Sequence, residues 1–467
     1  MLSDFQNLII EFPNLLDIQN LVAHFRSWVW GIPLLILLIG GGLFLFIYSG
    51  LIPFRYVGHA IAILRGKYDK HDSPGDLSHY EALSSAIAAT VGMGNISGVA
   101  IAIATGGPGA IFWMWVSAFV GMATKFFTCS LSVMYRGKDE TGDVKGGPMY
   151  VITEGLGKRW KPLAVFFATA GLVGTLPAFQ ANQLAQTLVD VFKVNEANEF
   201  TAKLLLGISI AIIVSTVIFG GIKRIGKVAG KLVPLMVVIY LLTVTTILIL
   251  KIEDVPAIFS LIFTDAFTGK SVLGGALGAL IITGVRRAAF SNEAGLGTAP
   301  MMHGTAKTKE PIREGLVAML GPAIDTLLVC TLTALAILAS GIWKGFDGNG
   351  ITMTLAAFDS VLPYNSGSVI LTICVLIFAF STLFTYSFYG YSCLSYLTNS
   401  KVGKYYNYIY VFVIVIASVI KLDFVINLMD SAYALMAIPT VISTLILAPK
   451  VKKAATIYFQ KLKTDSF

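Results

Sequence analysis

The sequence predicts an all-α polytopic membrane protein of about 11 transmembrane helices, built as two inverted five-helix repeats preceded by one extra helix. Three observations predict it. Hydrophobic residues make up 56% of the chain and charged residues only 13%, where soluble domains carry about 25%. Apolar runs of roughly 20 residues, the length that crosses a bilayer core, recur from end to end. Two of those runs, five spans apart, are interrupted by glycines, the pattern of a transporter whose site lies between inverted repeats.

The elements follow in order. Residues 1–30 read as an extracellular interfacial segment, with Trp28 and Trp30 at the headgroups. The acidic start lacks the basic flank of a signal peptide, so none is expected. Residues 31–81 hold the extra first helix, with its span at 31–52, and a cytoplasmic loop. The first repeat, 82–250, has spans at 82–104, 109–135, 162–192, 200–221 and 228–250. The second repeat, 251–448, has spans at 271–298, 314–341, 367–395, 405–420 and 423–448 with outer loops, and a basic cytoplasmic tail fills 449–467. The outer loop 343–367, WKGFDGNGITMTLAAFDSVLPYNSG, mixes turn residues with a short apolar run that suits an entrance cap.

Charge sets the direction. With the N-terminus outside, the outer face holds only Arg26, Lys193, Lys203, Lys251, Lys270, Lys344 and Lys421 of the 34 Lys and Arg residues. All the others except Lys125 fall on the opposite face, which the positive-inside rule makes cytoplasmic. Lys125 lies inside a span and reads as a snorkelling residue near the inner face. The formal charge of +8 therefore reflects cytoplasmic loops, not a nucleic-acid partner. Cys129, Cys330, Cys374 and Cys393 lie in or beside apolar runs with neither metal spacing nor a disulfide framework.

The first interruption is AATVGMGNISGVA, residues 88–100. A phosphate-cradling loop would need G-x-G-x-x-G after a soluble strand, and the spacing here misses it by one residue. Gly94 and Gly98 also fit a small-residue packing pair. The second interruption, GKSVLGGALGALIITG at 269–284, places Gly274, Gly275 and Gly278 in the corresponding span of the other half and favours broken helices. Non-helical backbone is tolerated at membrane depth only where it faces protein or a polar cavity. If the first helix stops near Val91–Gly94, the carbonyls of Ala88 to Val91 face a cation. The N–H groups of Met93, Gly94 and Asn95 at the restarting helix then face a carboxylate. The second helix runs the other way, and carbonyls at Gly274–Gly278 suit an ammonium. Together these ends suit a zwitterion such as an amino acid.

Three blocks carry a family resemblance: GGPGAIFWMWVSAFVGM at 106–122, GVRRAAFSNEAGLGTAP at 284–300 and GPAIDTLLVCTLTALAI at 321–337. Over essentially its whole length the chain resembles the alanine/glycine:cation, or sodium:alanine, symporter family of the LeuT-like superfamily. The resemblance implies sodium-coupled uptake of small neutral amino acids, alanine or glycine, across the cell membrane by alternating access. It implies no cofactor, with Na⁺ as the coupling ion.

Matching the superfamily pattern makes the carbonyls of Ala88 and Val91 candidates for a sodium site. Phe378, Ser381 and Thr382 on the ninth span would complete it, a carbonyl and two hydroxyls on one helix face. The two hydroxyls also suit bonds back to their own helix. Thr90 and Asn95 are candidate ligands, Thr90 alternatively a wall residue and Asn95 alternatively a helix cap. In GTLPAFQANQLAQ, Gln180 is a candidate to orient the substrate and Phe179 to wall the pocket, while interhelical bonding is the plainer role for the amides. Asp325, an acid within a span, reads as a coupling or gating residue, balancing a cation or pairing with Arg286 or Arg287. Asn292 and Glu293 suit an inner gate with the basic loops, or a helix-end cap with Gly295 and Gly297. Competing functions are a proton-coupled or other-solute carrier of the same fold and, further off, a channel, which would need a continuous charged or carbonyl-lined pore. No H-E-x-x-H pair occurs and the five histidines are scattered, so the chain is not read as an enzyme.

Overall fold

The computed structural model describes residues 18–68, 73–140, 142–267, 276–346 and 350–464. Helix α1 spans Ile18–Val29 and turns into α2, Ile32–Tyr48. A short helix α3, Val57–Leu64, precedes the bent pair α4, His79–Thr90, and α5, Gly94–Gly106. Then follow α6 (Gly109–Met134), α7 (Lys158–Val191), α8 (Glu196–Ile218), α9 (Gly221–Leu250) and the short α10 (Val255–Phe267). Helices α11, Ala276–Asn292, and α12, Thr298–His303, form a second interrupted element. The chain ends with α13 (Pro311–Ser340), the short α14 (Ile351–Val361), α15 (Ser366–Leu397), α16 (Ser400–Val419) and the 42-residue α17 (Leu422–Lys463). Gly137–Lys138 and Val144–Lys145 make a small antiparallel hairpin between α6 and α7.

Eight of these helices are long and apolar enough to cross a membrane, ten if each of two bent pairs counts as one. The expected count was eleven. The interrupted α11–α12 element is not among those ten.

Local chemistry sets the helix limits near the centre of the protein. Ser78 and Glu81 form a reciprocal capping box, Ser78 Oγ accepting the Glu81 N–H at 3.2 Å and Glu81 Oε2 the Ser78 N–H at 2.9 Å. This satisfies donors that the start of α4 leaves open. Helix α4 ends because Val91 turns to an extended conformation, φ −76° and ψ 93°. A π-helical turn over Gly94–Gly98 restarts it, and the two axes differ by 51°.

Packing divides the chain into two groups. Helices α5, α6, α11 and α13 pack on one another, and α7, α8, α15 and α16 on one another. Helix α4 packs across the divide on α9 and α15. Most of α4 to α6 is buried, whereas α8 and α9 each present a long apolar face outward, including Leu205, Ile212, Leu242 and Ile249. An apolar face turned away from the core is what a bilayer requires.

Three sequence expectations change here. Lys125 does not snorkel: it is 1% exposed, with its ammonium against Gly321 and within electrostatic reach of Glu293 and Asp325. Trp30 is buried and donates its indole N–H to the Asp430 carbonyl at 2.8 Å, leaving Trp28 as the exposed ring. The loop 343–367 contains a helix, α14, whose Thr354 hydroxyl lies 3.4 Å from the Ile96 carbonyl of α5.

Candidate functional site

The first break gathers polar groups at the protein's centre. The Asn95 side chain reaches back over it, Oδ1 accepting the Gly92 N–H at 2.8 Å. Its Nδ2 donates across to α13, 2.7 Å to Asp325 Oδ1 and 3.1 Å to the Asp325 carbonyl. Asn95 thus closes the restarted helix and ties it to a second element. Thr90 bonds back to the Ala86 carbonyl of its own helix at 3.0 Å, the arrangement of a wall residue. Met93 and Gly94 are buried, and Gly94 faces the Phe290 ring of α11.

A second break is described after Asn292, past the glycine cluster. Gly274 and Gly275 fall outside the described residues, and Gly278 sits within α11 in open space. The helix stops only after Asn292. Glu293 takes a left-handed φ of 54°, Gly295 and Gly297 follow at 87° and 97°, and α12 then begins. Glycine accepts such angles without a Cβ clash. A carbonyl end beside the first break is therefore that of α11. Gly278 alone does not unwind the helix, whereas the left-handed angles at Glu293, Gly295 and Gly297 do.

Two residues read as an inner gate or a helix-end cap lie at this break. Glu293 is 1% exposed and accepts from Thr298 Oγ1 at 2.5 Å and from the Tyr386 hydroxyl of α15, which lies 2.8 Å from that of Tyr433. Asn292 Nδ2 donates to Thr326 Oγ1 at 3.0 Å and its Oδ1 accepts the Ala294 N–H at 3.0 Å, so it caps the break.

Asp325 pairs with neither Arg286 nor Arg287. It is fully buried and accepts from Asn95, from Ser291 Oγ at 2.8 Å and from Thr326 Oγ1 at 2.6 Å. One carboxylate therefore joins the first break to the second. Arg287 instead makes a buried pair with Asp430 of α17, its Nη2 lying 2.7 and 2.6 Å from the two carboxylate oxygens. The Arg286 guanidinium stacks 5.4 Å from the Trp30 ring centre.

Helix α15 meets the other side of the first break. Thr382 Oγ1 lies 2.9 Å from the Ala88 carbonyl and 3.0 Å from that of Phe378. Ser381 Oγ lies 2.9 Å from the same Phe378 carbonyl. Gly92 permits this approach, since a Cβ there would stand 2.4 Å from Thr382 Oγ1. Thr382 thus bonds across to α4, while Ser381 bonds within its own helix and touches Met236 Sδ at 3.7 Å. Val91 supplies the extended turn directly before Gly92.

Helix α7, which bends after Thr175, packs Phe179 against the Phe290 ring that Gly94 faces. Phe179 is fully buried, edge-on to Phe290 at 4.7 Å between ring centres. Gln180 is 4% exposed, and its Oε1 has no hydrogen-bond partner among the described residues. A buried acceptor left open is costly unless a ligand or water serves it. Asn182 has the plainer role, donating to the Ala417 and Ile420 carbonyls of the neighbouring chain segment at 3.0 and 2.6 Å. Sequence reading did not single out Tyr386, Ser291, Thr326 or Phe290. Tyr386 was findable, lying one turn beyond Thr382, and Phe290 and Ser291 begin the FSNEAGLG block.

Two broken helices joined by buried polar groups, inside an apolar helical bundle, are the architecture of the LeuT fold. The backbone matches a crystal structure of MhsT in complex with L-phenylalanine, with TM-score 0.57 and 13% identity over 82% of this chain and 99% of that one. The chain belongs to the sodium:alanine symporter family, whose profile matches residues 15–466. It is 40% identical over 442 residues to the sodium/alanine symporter AgcS of Methanococcus maripaludis, covering 93% of this chain and 95% of that protein. It is 34% identical over 449 residues to the probable sodium/glutamine symporter GlnT of Bacillus subtilis, covering 96% and 92%. The family makes the protein a multi-pass carrier of the sodium-coupled amino-acid symport class, with Na⁺ as coupling ion.

Proposed function

We propose that the protein carries a small neutral amino acid, alanine or glycine, into the cell together with Na⁺ by alternating access, with its N-terminus outside and C-terminus in the cytoplasm. One observation carries the ion assignment: Thr382 Oγ1 bridges the Ala88 and Phe378 carbonyls at the point where α4 ends. Hard oxygen donors from two helices, set at the negative end of a helix dipole, suit an alkali cation. Ala88, Val91, Phe378, Ser381 and Thr382 form the proposed sodium site. Na⁺ entering it replaces the hydroxyl proton's bond, and the threonine oxygen turns its lone pairs to the ion.

The substrate would lie between the breaks. The N–H groups of Met93 and Gly94 at the start of α5 face its carboxylate. Gln180 Oε1 accepts from its ammonium, and the Phe179–Phe290 pair limits its side chain. Asp325 and Asn95 link the two helices, so an ion or substrate that orders one break biases the other. The family relation to AgcS supports alanine, and the relation to GlnT makes the aromatic wall the feature that separates small from larger substrates.

Replacing Ser381 and Thr382 together with alanine tests the ion site. The sodium concentration giving half-maximal transport rises at least tenfold, for the loss of about 1.4 kcal/mol or more of ion binding. Unchanged sodium dependence removes the assignment.

A further inference from the structure

A second buried polar cluster lies apart from the site, where three helix ends meet. His79 is the first residue of α4, His303 the last of α12 and Glu314 the fourth of α13. All three are at most 2% exposed. Each carboxylate oxygen of Glu314 takes a different imidazole: Oε2 meets His79 Nδ1, and Oε1 lies 2.5 Å from His303 Nδ1. His303 Nε2 has no partner among the described residues.

The charge balance of this cluster is not settled by the symport site. Two neutral imidazoles donating Nδ1–H to one carboxylate leave a buried net negative charge, which a low-dielectric interior disfavours. A single proton on either imidazole cancels it. Other groups face the cluster from each packed element. Arg136, after α6, lies within electrostatic reach of Glu314 and donates its N–H groups to the carbonyls of Gly304, Ala306 and Thr308, so its charge acts on the carboxylate only through space. Cys129 of α6 is the other group on that side. Arg313, beside Glu314 in sequence, turns toward Tyr68 and Tyr458, and Tyr458 also holds His59 of α3 at 2.8 Å. A cavity of about 380 Å³ is lined by Asp76, three residues before His79, and by Thr305, two after His303, together with Lys145, Tyr391 and Lys404.

We propose that His79, Glu314 and His303 form a proton-binding site, loaded from the cytoplasm, that ties α4, α12 and α13 together when it holds its proton. The step is the protonation of one imidazole to imidazolium by a buffer acid in the cavity. With the proton bound, the neutral cluster holds the inner half-helix α4 against α13. Without it, the buried charge of the carboxylate favours hydration and α4 is freed to leave. Acid on the cytoplasmic side therefore slows the cycle. The cytoplasmic placement rests on the orientation proposed above, but proton binding itself does not depend on which solute is carried.

Two readouts test it on the purified full chain. In potentiometric titration from about pH 8.5 to 6, the wild type takes up one proton more than Glu314→Gln. In proteoliposomes with a clamped membrane potential, lowering the internal pH slows sodium-driven alanine uptake, approaching about tenfold per pH unit below the midpoint. Glu314→Gln flattens that profile, and Glu314→Asp keeps it with a shifted midpoint. Should Glu314→Gln not fold, His303→Gln serves, since its amide still donates to Glu314 but does not titrate, and the same flattening is expected. Equal proton uptake by variant and wild type, or a pH profile unchanged in the variant, overturns the proposal. Absent alanine uptake at every pH would instead count against the substrate reading, and the titration then decides the proton site alone.

Discussion

Adding a single methyl group at Gly92 should disable the sodium site. The built Cβ stands 2.4 Å from Thr382 Oγ1 but 3.4 Å from Thr382 Cβ, so the conflict is with the hydroxyl and not the rest of the side chain. That hydroxyl is the group that spans Ala88 and Phe378. Overpacking of this kind costs about 1–3 kcal/mol. If the strain falls on the arrangement that binds the ion, Gly92→Ala lowers sodium affinity by roughly 5- to 150-fold, at 1.4 kcal/mol per tenfold. The assay is alanine uptake into proteoliposomes across a range of sodium concentrations, with Thr382→Ala and the double variant alongside. Thr382→Ala removes the clashing oxygen, so Gly92→Ala adds little in that background, and the two effects are strongly non-additive. Normal sodium dependence in Gly92→Ala, or fully additive losses, refutes the placement of the ion at Thr382.

Two further outcomes follow from the neighbouring contacts. Asp325→Asn sets an amide donor against Asn95, Ser291 and Thr326, which all donate to the native carboxylate. At about 1–3 kcal/mol for each buried group left unpaired, transport falls more than tenfold and the thermal unfolding midpoint drops; a variant with wild-type transport would show that the two breaks are not joined through this residue. Gln180→Ala removes one substrate hydrogen bond and weakens alanine affinity about fivefold, for a loss near 1 kcal/mol, with sodium dependence unchanged. Equal alanine affinity in isothermal titration would return Gln180 to an interhelical role.

The sequence made the medium and one break legible because each rests on a local signal. Apolar runs of bilayer length are read directly from composition, and VGMGNI puts its glycines beside an asparagine able to cap the restart. The break after Asn292 was not legible because its unwinding depends on backbone angles at Glu293, Gly295 and Gly297, within a block whose polar residues suit a helix end. Asp325 was identifiable as a buried acid in a span, but its partners were not: they come from α5 and α11, far away in sequence and brought near only by the crossing of the two broken helices. For the same reason Arg287 found Asp430 and not Asp325. Lys125 looked like an edge residue because its depth depends on Gly321, which leaves room for its ammonium.

The central claim is that sodium movement drives amino-acid entry through this fold. Uptake of radiolabelled alanine into proteoliposomes, with an inward sodium gradient and with equal sodium on both sides, tests it most directly. Accumulation above the external concentration only when the sodium gradient is present is the predicted result. Accumulation indifferent to sodium and driven by a pH gradient alone would contradict it.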